Sequence, residues 1–357
     1  MKIIVVIGAR PQFIKHAPFE FASRDKFEMI TIHTGQHYDA NMSKVFFDQL
    51  KIKKPDYLLT TGGGNHGEQT GKMLQEIEPI VLNEKPDYML VYGDTNSTLA
   101  GALVASKLHI PVIHVEAGLR SYNKSMPEEI NRILTDHMSD LLFTSTKQGV
   151  LNLQNEGVKE NVHLVDDIMG DSVKLAQKLL ENEPIETDYP YYYVTIHRPY
   201  NTDNKLRMVK ILDILNNLKF KVIFPIHPRT RSLCKEFALD LSIYQNIDFI
   251  EPASYIDNIQ FIKNSVHAIT DSGGLQKEAY ILQIPCITIR SETEWVETLS
   301  GGWNVLCFED LNEIPRLLDR QLGEHIDELY GKGNSAGQII DLITRHYEMI
   351  SKNDPNI

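Results

Sequence analysis

Two doubly wound α/β domains are the fold class this sequence predicts, on three observations. Short β-branched runs alternate with amphipathic stretches from end to end, the pattern of parallel strands joined by helical crossovers. The runs fall into two series of similar length and rhythm, which favours two sheets over one very wide one. The 357 residues also exceed what a single hydrophobic core usually supports.

In the first series the strand candidates are KIIVVIG, EMITIHT, YMLVYGD, PVIHVEA, LLFTST and VHLVD; in the second they are YYYVTIH, KVIFPIH, IDFIEP, HAITDS, CITIR and NVLCF. Their near-continuous apolar character is that of strands buried on both faces. Between the series, ENEPIETDYPYYY at 181–193 carries acids and two prolines, a surface connection. The expected domains are 1–168 and 169–335, with the boundary near Val165–Gly170 and the following helix carrying the chain across. After GKGNSAG, the spacing of Ile339, Ile340, Leu342, Ile343, Tyr347 and Ile350 predicts a last helix over about 336–357. The pattern does not say which domain that helix packs on.

The formal net charge of −12 argues against a broad basic face for nucleic acid or anionic membrane and leaves only local anion pockets. The hydrophobic fraction of 42% and charged fraction of 24% are globular values. Cys234, Cys286 and Cys307 are scattered, without CxxC or metal-ligand spacing, which fits a reducing compartment. The opening apolar run is too short for a signal segment, and no stretch approaches membrane-spanning length, so a cytoplasmic location is expected.

In open parallel sheets, ligands bind beyond the carboxyl ends of the strands. The first strand ends in Gly8-Ala9-Arg10-Pro11-Gln12, with Lys15 one turn on, so Arg10 and Lys15 could meet an anion at the helix start. The alternative is a solvated Arg and a snorkelling Lys. Asp94 follows YMLVYG, where an ordinary helix cap is the competing role. Glu116 follows an apolar strand, and its competing role is a buried ion pair for which Arg120 is the candidate partner. Pro127-Glu128-Glu129 reads as a helix start with acids in the first turn, an account that suffices for Glu129; Glu128 and Arg132 are four apart and share a face. The convergence of three carboxylates and two cations at one sheet edge favours a site.

His197 and His227 end two strands of the second series at equivalent edge positions, without the clustered spacing of a zinc site, so no metal is assigned. Thr270-Asp271-Ser272-Gly273-Gly274 runs from a strand into a helix, where bare N–H groups and a hydroxyl could cradle a diphosphate, and Glu278 on the same helix could accept ribose hydroxyls. A plain Gly-Gly turn is the alternative. No Gly-Lys-Ser/Thr follows, which argues against a nucleoside triphosphatase. Two Rossmann-like domains facing each other, phosphate donors on one and acid/base groups on the other, suggest a nucleotide-sugar enzyme.

GARPQFIK, YGDTNSTLAGALVASKLHIPVIHVEAGLRS, MPEEINRILTDH, TIHRPYN, FPIHPRTR, TDSGGLQKEA and RSETEWVET together resemble the non-hydrolysing UDP-N-acetylglucosamine 2-epimerase family, in its order and over nearly the whole chain. The resemblance implies a glycosyltransferase-B-like fold with the active site in the cleft, a C-terminal helix returning to the first domain, a homodimer, and no added cofactor or metal. It implies interconversion of UDP-GlcNAc and UDP-ManNAc for surface-polysaccharide precursors: UDP leaves as the C2 proton is removed, giving 2-acetamidoglucal, and adds back with the proton on the opposite face. It assigns Asp94, Glu116 and Glu128 as acid/base carboxylates, and His197 as the group assisting UDP departure. It assigns Arg10 and Lys15 to substrate and phosphate, Arg132 to orienting the acids, Ser272, Gly273 and Gly274 to the diphosphate, Glu278 to the ribose and His227 to the nucleotide side.

The chain departs from many bacterial members at Pro11-Gln12, at His197-Arg198-Pro199-Tyr200 and at Trp295-Val296. TGQHYDANMS and GGNHGEQTGK match poorly the segments that bind an allosteric UDP-GlcNAc in some members, and Asp166 stands where a hinge glycine is usual. GARPQFIK, MPEEINR and TEWVET are more typical of a branch that includes UDP-2,3-diacetamido-2,3-dideoxyglucuronate epimerases, the alternative substrate class. A retaining glycosyltransferase of the same fold would share the Ser-Gly-Gly site without needing three first-domain carboxylates.

Overall fold

The computed structural model describes residues 1–36, 47–180 and 187–353. Residues 37–43 of TGQHYDANMS, 181–186 of the acidic connection and 354–357 of the last helix lie outside the described residues. The chain forms two compact units, one from Met1–Leu175 with Tyr330–Ile357 and one from Ala176–Leu329. The first division falls inside the helix Ile168–Leu180.

The first unit holds strands β1 (Lys2–Ile7), β2 (Glu28–His33), β3 (Tyr57–Leu58), β4 (Tyr88–Tyr92), β5 (Val112–Val115), β6 (Leu141–Thr144) and β7 (Val162–Leu164). They form one sheet in the order β3-β2-β1-β4-β5-β6-β7, parallel throughout. The pair Tyr57–Leu58 adds a strand to the six expected. Ile4, Val6, Ile32, Met89 and Val91 pack with Met73, Ile77 and Val81 of the helix His66–Glu84 and with Ala100 and Val104 of the helix Asn96–Lys107. Each large aliphatic so buried contributes about 1.5–3 kcal/mol relative to exposure.

The last helix, Ser335–Asn353, belongs to the first unit and packs on the helix Arg10–Ser23. Ile339, Ile340 and Ile343 are fully buried, and the Tyr88 hydroxyl lies 2.7 Å from His346 Nδ1. Asp171 anchors its start by accepting from Ser335 N at 2.9 Å and Ala336 N at 3.1 Å. Asp166 accepts from Lys332 N at 3.0 Å and Gln338 Nε2 at 3.1 Å, tying the returning chain down.

The second unit holds β8 (Tyr191–Thr195), β9 (Lys221–Pro225), β10 (Ile247–Ile250), β11 (His267–Thr270), β12 (Cys286–Thr288) and β13 (Asn304–Leu306), in the order β10-β9-β8-β11-β12-β13. Val194, Ile196, Val222, Phe224, Ile269 and Ile287 pack against Met208, Ile211, Leu212 and Leu215 of the helix Lys205–Asn216. Counted from its own first strand, each unit follows the Rossmann order, which reverses beside that strand. Loops diverge at such a point and open a crevice at the strands' carboxyl ends. The crevices lie between β1 and β4 and between β8 and β11. Among the described residues no helix is long and apolar enough to cross a membrane.

Candidate active site

At the first switch point, β1 runs into the helix Arg10–Ser23 through Gly8 and Ala9. A side chain at Gly8 would collide with Thr34 Oγ1 and Ser97 Oγ, so the turn requires glycine. Gln12 is buried and locks this turn. Its Oε1 accepts from Gly8 N at 2.8 Å and Ala9 N at 3.1 Å, and its Nε2 donates to Tyr92 O at 2.9 Å and Thr98 Oγ1 at 3.0 Å. A carboxamide provides both halves of that pattern; a carboxylate would lack the donors. Arg10 is exposed at the helix start.

Lys15 Nζ forms an ion pair with Glu116, with side chains only 12% and 8% exposed. The pair lies over Gly93, where a Cβ would sit 3.7 Å from Lys15 Nζ and 3.8 Å from Glu116 Oε2. Glu116 itself has φ of 73°, a left-handed conformation that costs energy in a residue with a Cβ and concentrates at functional sites. Its N–H and that of Ala117 both donate to Phe143 O at 3.0 Å. Arg120 is not its partner: it pairs with Asp136 and Glu156, each at 2.7 Å.

Asp94 is not the helix cap. Thr95 is, accepting from Thr98 N at 3.3 Å. The Asp94 carboxylate instead meets Arg132 Nη2 at 2.5 Å, and its carbonyl accepts from Asn131 Nδ2 at 2.9 Å. One turn of the helix Pro127–Met138 therefore holds both parts of Asp94. Burial alone would lower the Arg132 guanidinium, but Asp94 and Glu129 hold it above its usual range.

Glu129 is not an ordinary solvated first-turn acid. It is 1% exposed and accepts from Ser121 N at 2.9 Å, Tyr122 N at 2.8 Å and Arg132 Nη1 at 2.9 Å. Burial raises its carboxyl, and these bonds bring it below the usual range. Arg132 thus pairs with Glu129, three residues before it, rather than with Glu128. Glu128 is exposed at the start of the same helix, with no ion pair to a described residue. The structure joins Lys15 to Glu116 over Gly93, and Asp94 to Arg132, at one edge; Arg10 and Glu128 stand exposed on elements that open there.

At the second switch point, Asp271 is fully buried beyond β11. It accepts from His197 N at 3.1 Å, Arg198 N at 2.9 Å and Asn201 Nδ2 at 3.0 Å, and its Oδ1 lies 3.5 Å from His197 Nδ1. The His197 ring, 38% exposed, lies 6.1 Å from that of His227, which starts the helix Pro228–Glu236 and accepts from Arg229 N at 3.2 Å. Ser272 precedes the helix Gly273–Ile281 without capping it, leaving its hydroxyl out of the helix's bonding. Glu278 is 8% exposed, and its Oε1 reaches back to 3.9 Å from where a Gly274 Cβ would be. Arg290 Nη2 bonds Glu294 at 2.9 Å, and Nη1 stands 3.6 Å from a Cβ placed on Gly273. A Glu294 carboxylate oxygen stands nearer still, 2.5 Å from that Cβ, so the Arg290–Glu294 pair flanks the start of this helix; helix N-termini and guanidinium groups are general partners of phosphate oxygens.

The model of the family described as UDP-N-acetylglucosamine 2-epimerase matches residues 20–344. The chain belongs to this family. A homologue of UDP-N-acetylglucosamine 2-epimerase from Methanococcus maripaludis is 47% identical over 354 residues, 96% of this chain and 99% of its own. The UDP-2,3-diacetamido-2,3-dideoxy-D-glucuronate 2-epimerase of Pseudomonas aeruginosa is 45% identical, covering 97% of this chain and all of its own at 100%. The crystal structure of Methanocaldococcus jannaschii UDP-GlcNAc 2-epimerase in complex with UDP-GlcNAc and UDP superposes with a TM-score of 0.83 at 41% identity, covering 97% of this chain and 100% of that one. These relatives of the epimerase family are isomerases acting on UDP-sugars, as their names state.

Within the epimerase framework, four residues escaped the motif reading as supports of the site: Gln12, Asp271, Arg290 and Glu129. Asp271 directly follows a strand as Glu116 does, and Arg290 stands two residues past one; that position is the available signal. Gln12 and Glu129 had none, because first-turn polar residues are common on solvated helices.

Proposed function

We propose that this protein is a non-hydrolysing UDP-GlcNAc 2-epimerase, interconverting UDP-GlcNAc and UDP-ManNAc. The carrying observation is the pairing of two carboxylates with two cations, Glu116 with Lys15 and Asp94 with Arg132, at the first switch point. The hydrogen at C2 is weakly acidic, and departure of the diphosphate makes the neighbouring anomeric carbon electron-poor. A carboxylate base and a stabilised leaving group must act together. Inversion at C2 needs proton transfer on both faces, so Asp94, Glu116 and Glu128 share those steps. Lys15 and Arg132 pair with two of them and orient them. His197, set by Asp271, assists the leaving UDP. Ser272, Gly273 and Gly274 take the diphosphate, with Arg10 as a further phosphate contact, Glu278 the ribose and His227 the nucleotide side.

The 45% identity to the Pseudomonas enzyme supports a second reading, epimerisation of the 2,3-diacetamido uronate. Arg198 favours it: exposed beside His197 and in no ion pair with a described residue, it could meet a uronate carboxylate. Parallel turnover assays decide. Conversion of UDP-GlcNAc supports the first reading; conversion of the uronate alone supports the second. The protein acts as a homodimer in this proposal, because Met126, Ile130 and Leu134 form an exposed apolar stripe one turn apart that a second copy would cover.

A further inference from the structure

We propose that Asp136 is a positioning residue that holds the Asp94 and Glu116 turns together, through His114 on one side and through Gly118 and Arg120 on the other. Its kinetic test rests on the epimerase reading; its structural content does not. Asp136 and His114 are both wholly buried, on the helix Pro127–Met138 and on β5. Asp136 Oδ1 lies 2.7 Å from His114 Nδ1, and His114 Nε2 lies 2.8 Å from Gly93 O. Both ring nitrogens lie within hydrogen-bond distance of acceptors, so the ring bridges the carboxylate to the carbonyl immediately before Asp94. Asp136 Oδ2 accepts from Gly118 N at 3.1 Å and from Arg120 Nη1 at 2.7 Å.

All the turns so held enter the left-handed region, which is conformationally costly at Glu116. Gly93 has φ of 65°, Glu116 of 73° and Gly118 of 79°, and a side chain at Gly118 would run into the Gly149 carbonyl. Glycine enters that region freely, but at Glu116 it persists only where the surroundings over-determine it. One carboxylate supplies a hydrogen bond to the second turn and, through one ring, to the first. Burial would raise Asp136, but His114 and Arg120 hold it below the usual carboxylate range, so it remains an acceptor on both oxygens. Because a displacement near 1 Å at reacting groups costs on the order of 100-fold in rate, loss of this clamp should appear in kcat rather than in nucleotide binding.

The test compares Asp136→Ala and Asp136→Asn with wild type in steady-state epimerisation, UDP titration calorimetry and amide hydrogen exchange. Asp136→Ala should lose about 100-fold or more in kcat with KM and UDP affinity within about threefold. Asp136→Asn keeps an oxygen to accept from Gly118 and Arg120, and its amide can donate to Nδ1 of a ring that carries its proton on Nε2, towards Gly93 O, so it should recover to within about tenfold of wild type. Exchange at Thr95, Ala117 and Gly118 should rise about tenfold in the alanine variant alone. A folded Asp136→Ala with near-wild-type kcat, equal loss in both variants, or unchanged exchange would overturn the proposal. If Asp136→Ala does not fold, His114→Phe, which cuts the link to Gly93, is judged by the same kcat loss and by exchange at Thr95. If wild type converts neither UDP-sugar, the functional reading fails and hydrogen exchange alone decides the clamp.

Discussion

At the residue scale, Glu116 and Glu128 were singled out by their sequence positions and sit in contrasting environments. Glu116 is held by Lys15 in a strained backbone, whereas Glu128 is exposed. Replacing either by Gln should lower kcat by about 10²–10⁴-fold, as expected for loss of a general acid or base. Unchanged turnover in either variant would remove that residue from the proton-transfer set. Burial also depresses His16 and His33 in the first unit to about 4 each. The unfolded chain takes up those protons near pH 6.5 while the native state does not. The stabilisation is therefore complete above pH 6.5 and is lost as pH falls from there towards 4, by up to about 3 kcal/mol per histidine. Urea unfolding at pH 7.5, 5.5 and 4.5 should show that loss, and His16→Asn should flatten it; an unchanged slope would contradict the assignment.

At the element scale, the long strands were legible because a parallel strand covered on both faces must be almost wholly apolar. Tyr57–Leu58 was not, since two residues carry no periodicity. The turns were legible where chemistry restricts them, as at Gly8 and Ser272-Gly273-Gly274, and opaque where a common residue has an uncommon task. Gln12 looked like a mere departure from relatives, yet its four bonds join the turn after β1 to the end of β4 and to Thr98 of the helix Asn96–Lys107. Gln12→Ala would leave Gly8 N, Ala9 N and the amide's share of Tyr92 O unmet. It should destabilise the first unit by about 2–4 kcal/mol in denaturant unfolding. A loss below about 0.5 kcal/mol would mean that water replaces those bonds. Asp94 and Glu116 followed from strand ends, but their ion-pair partners did not: pairing at distant positions depends on helix placement, which local pattern does not encode.

At the scale of the whole molecule, two units repeat one strand order, with the paired carboxylates at the switch point of one and the Ser272-Gly273-Gly274 helix start at that of the other. The stripe of Met126, Ile130 and Leu134 predicts a dimer by sedimentation velocity. Ile130→Glu with Leu134→Glu should shift it to monomer, and an unchanged dimer would place the interface elsewhere. The central claim is that the C2 proton is exchanged while UDP leaves and returns without escaping. Incubation with UDP-GlcNAc in D2O, followed by NMR, tests it most directly. The account predicts UDP-ManNAc carrying deuterium at C2; product without C2 deuterium, or free UDP and free sugar accumulating in step with turnover, would contradict it.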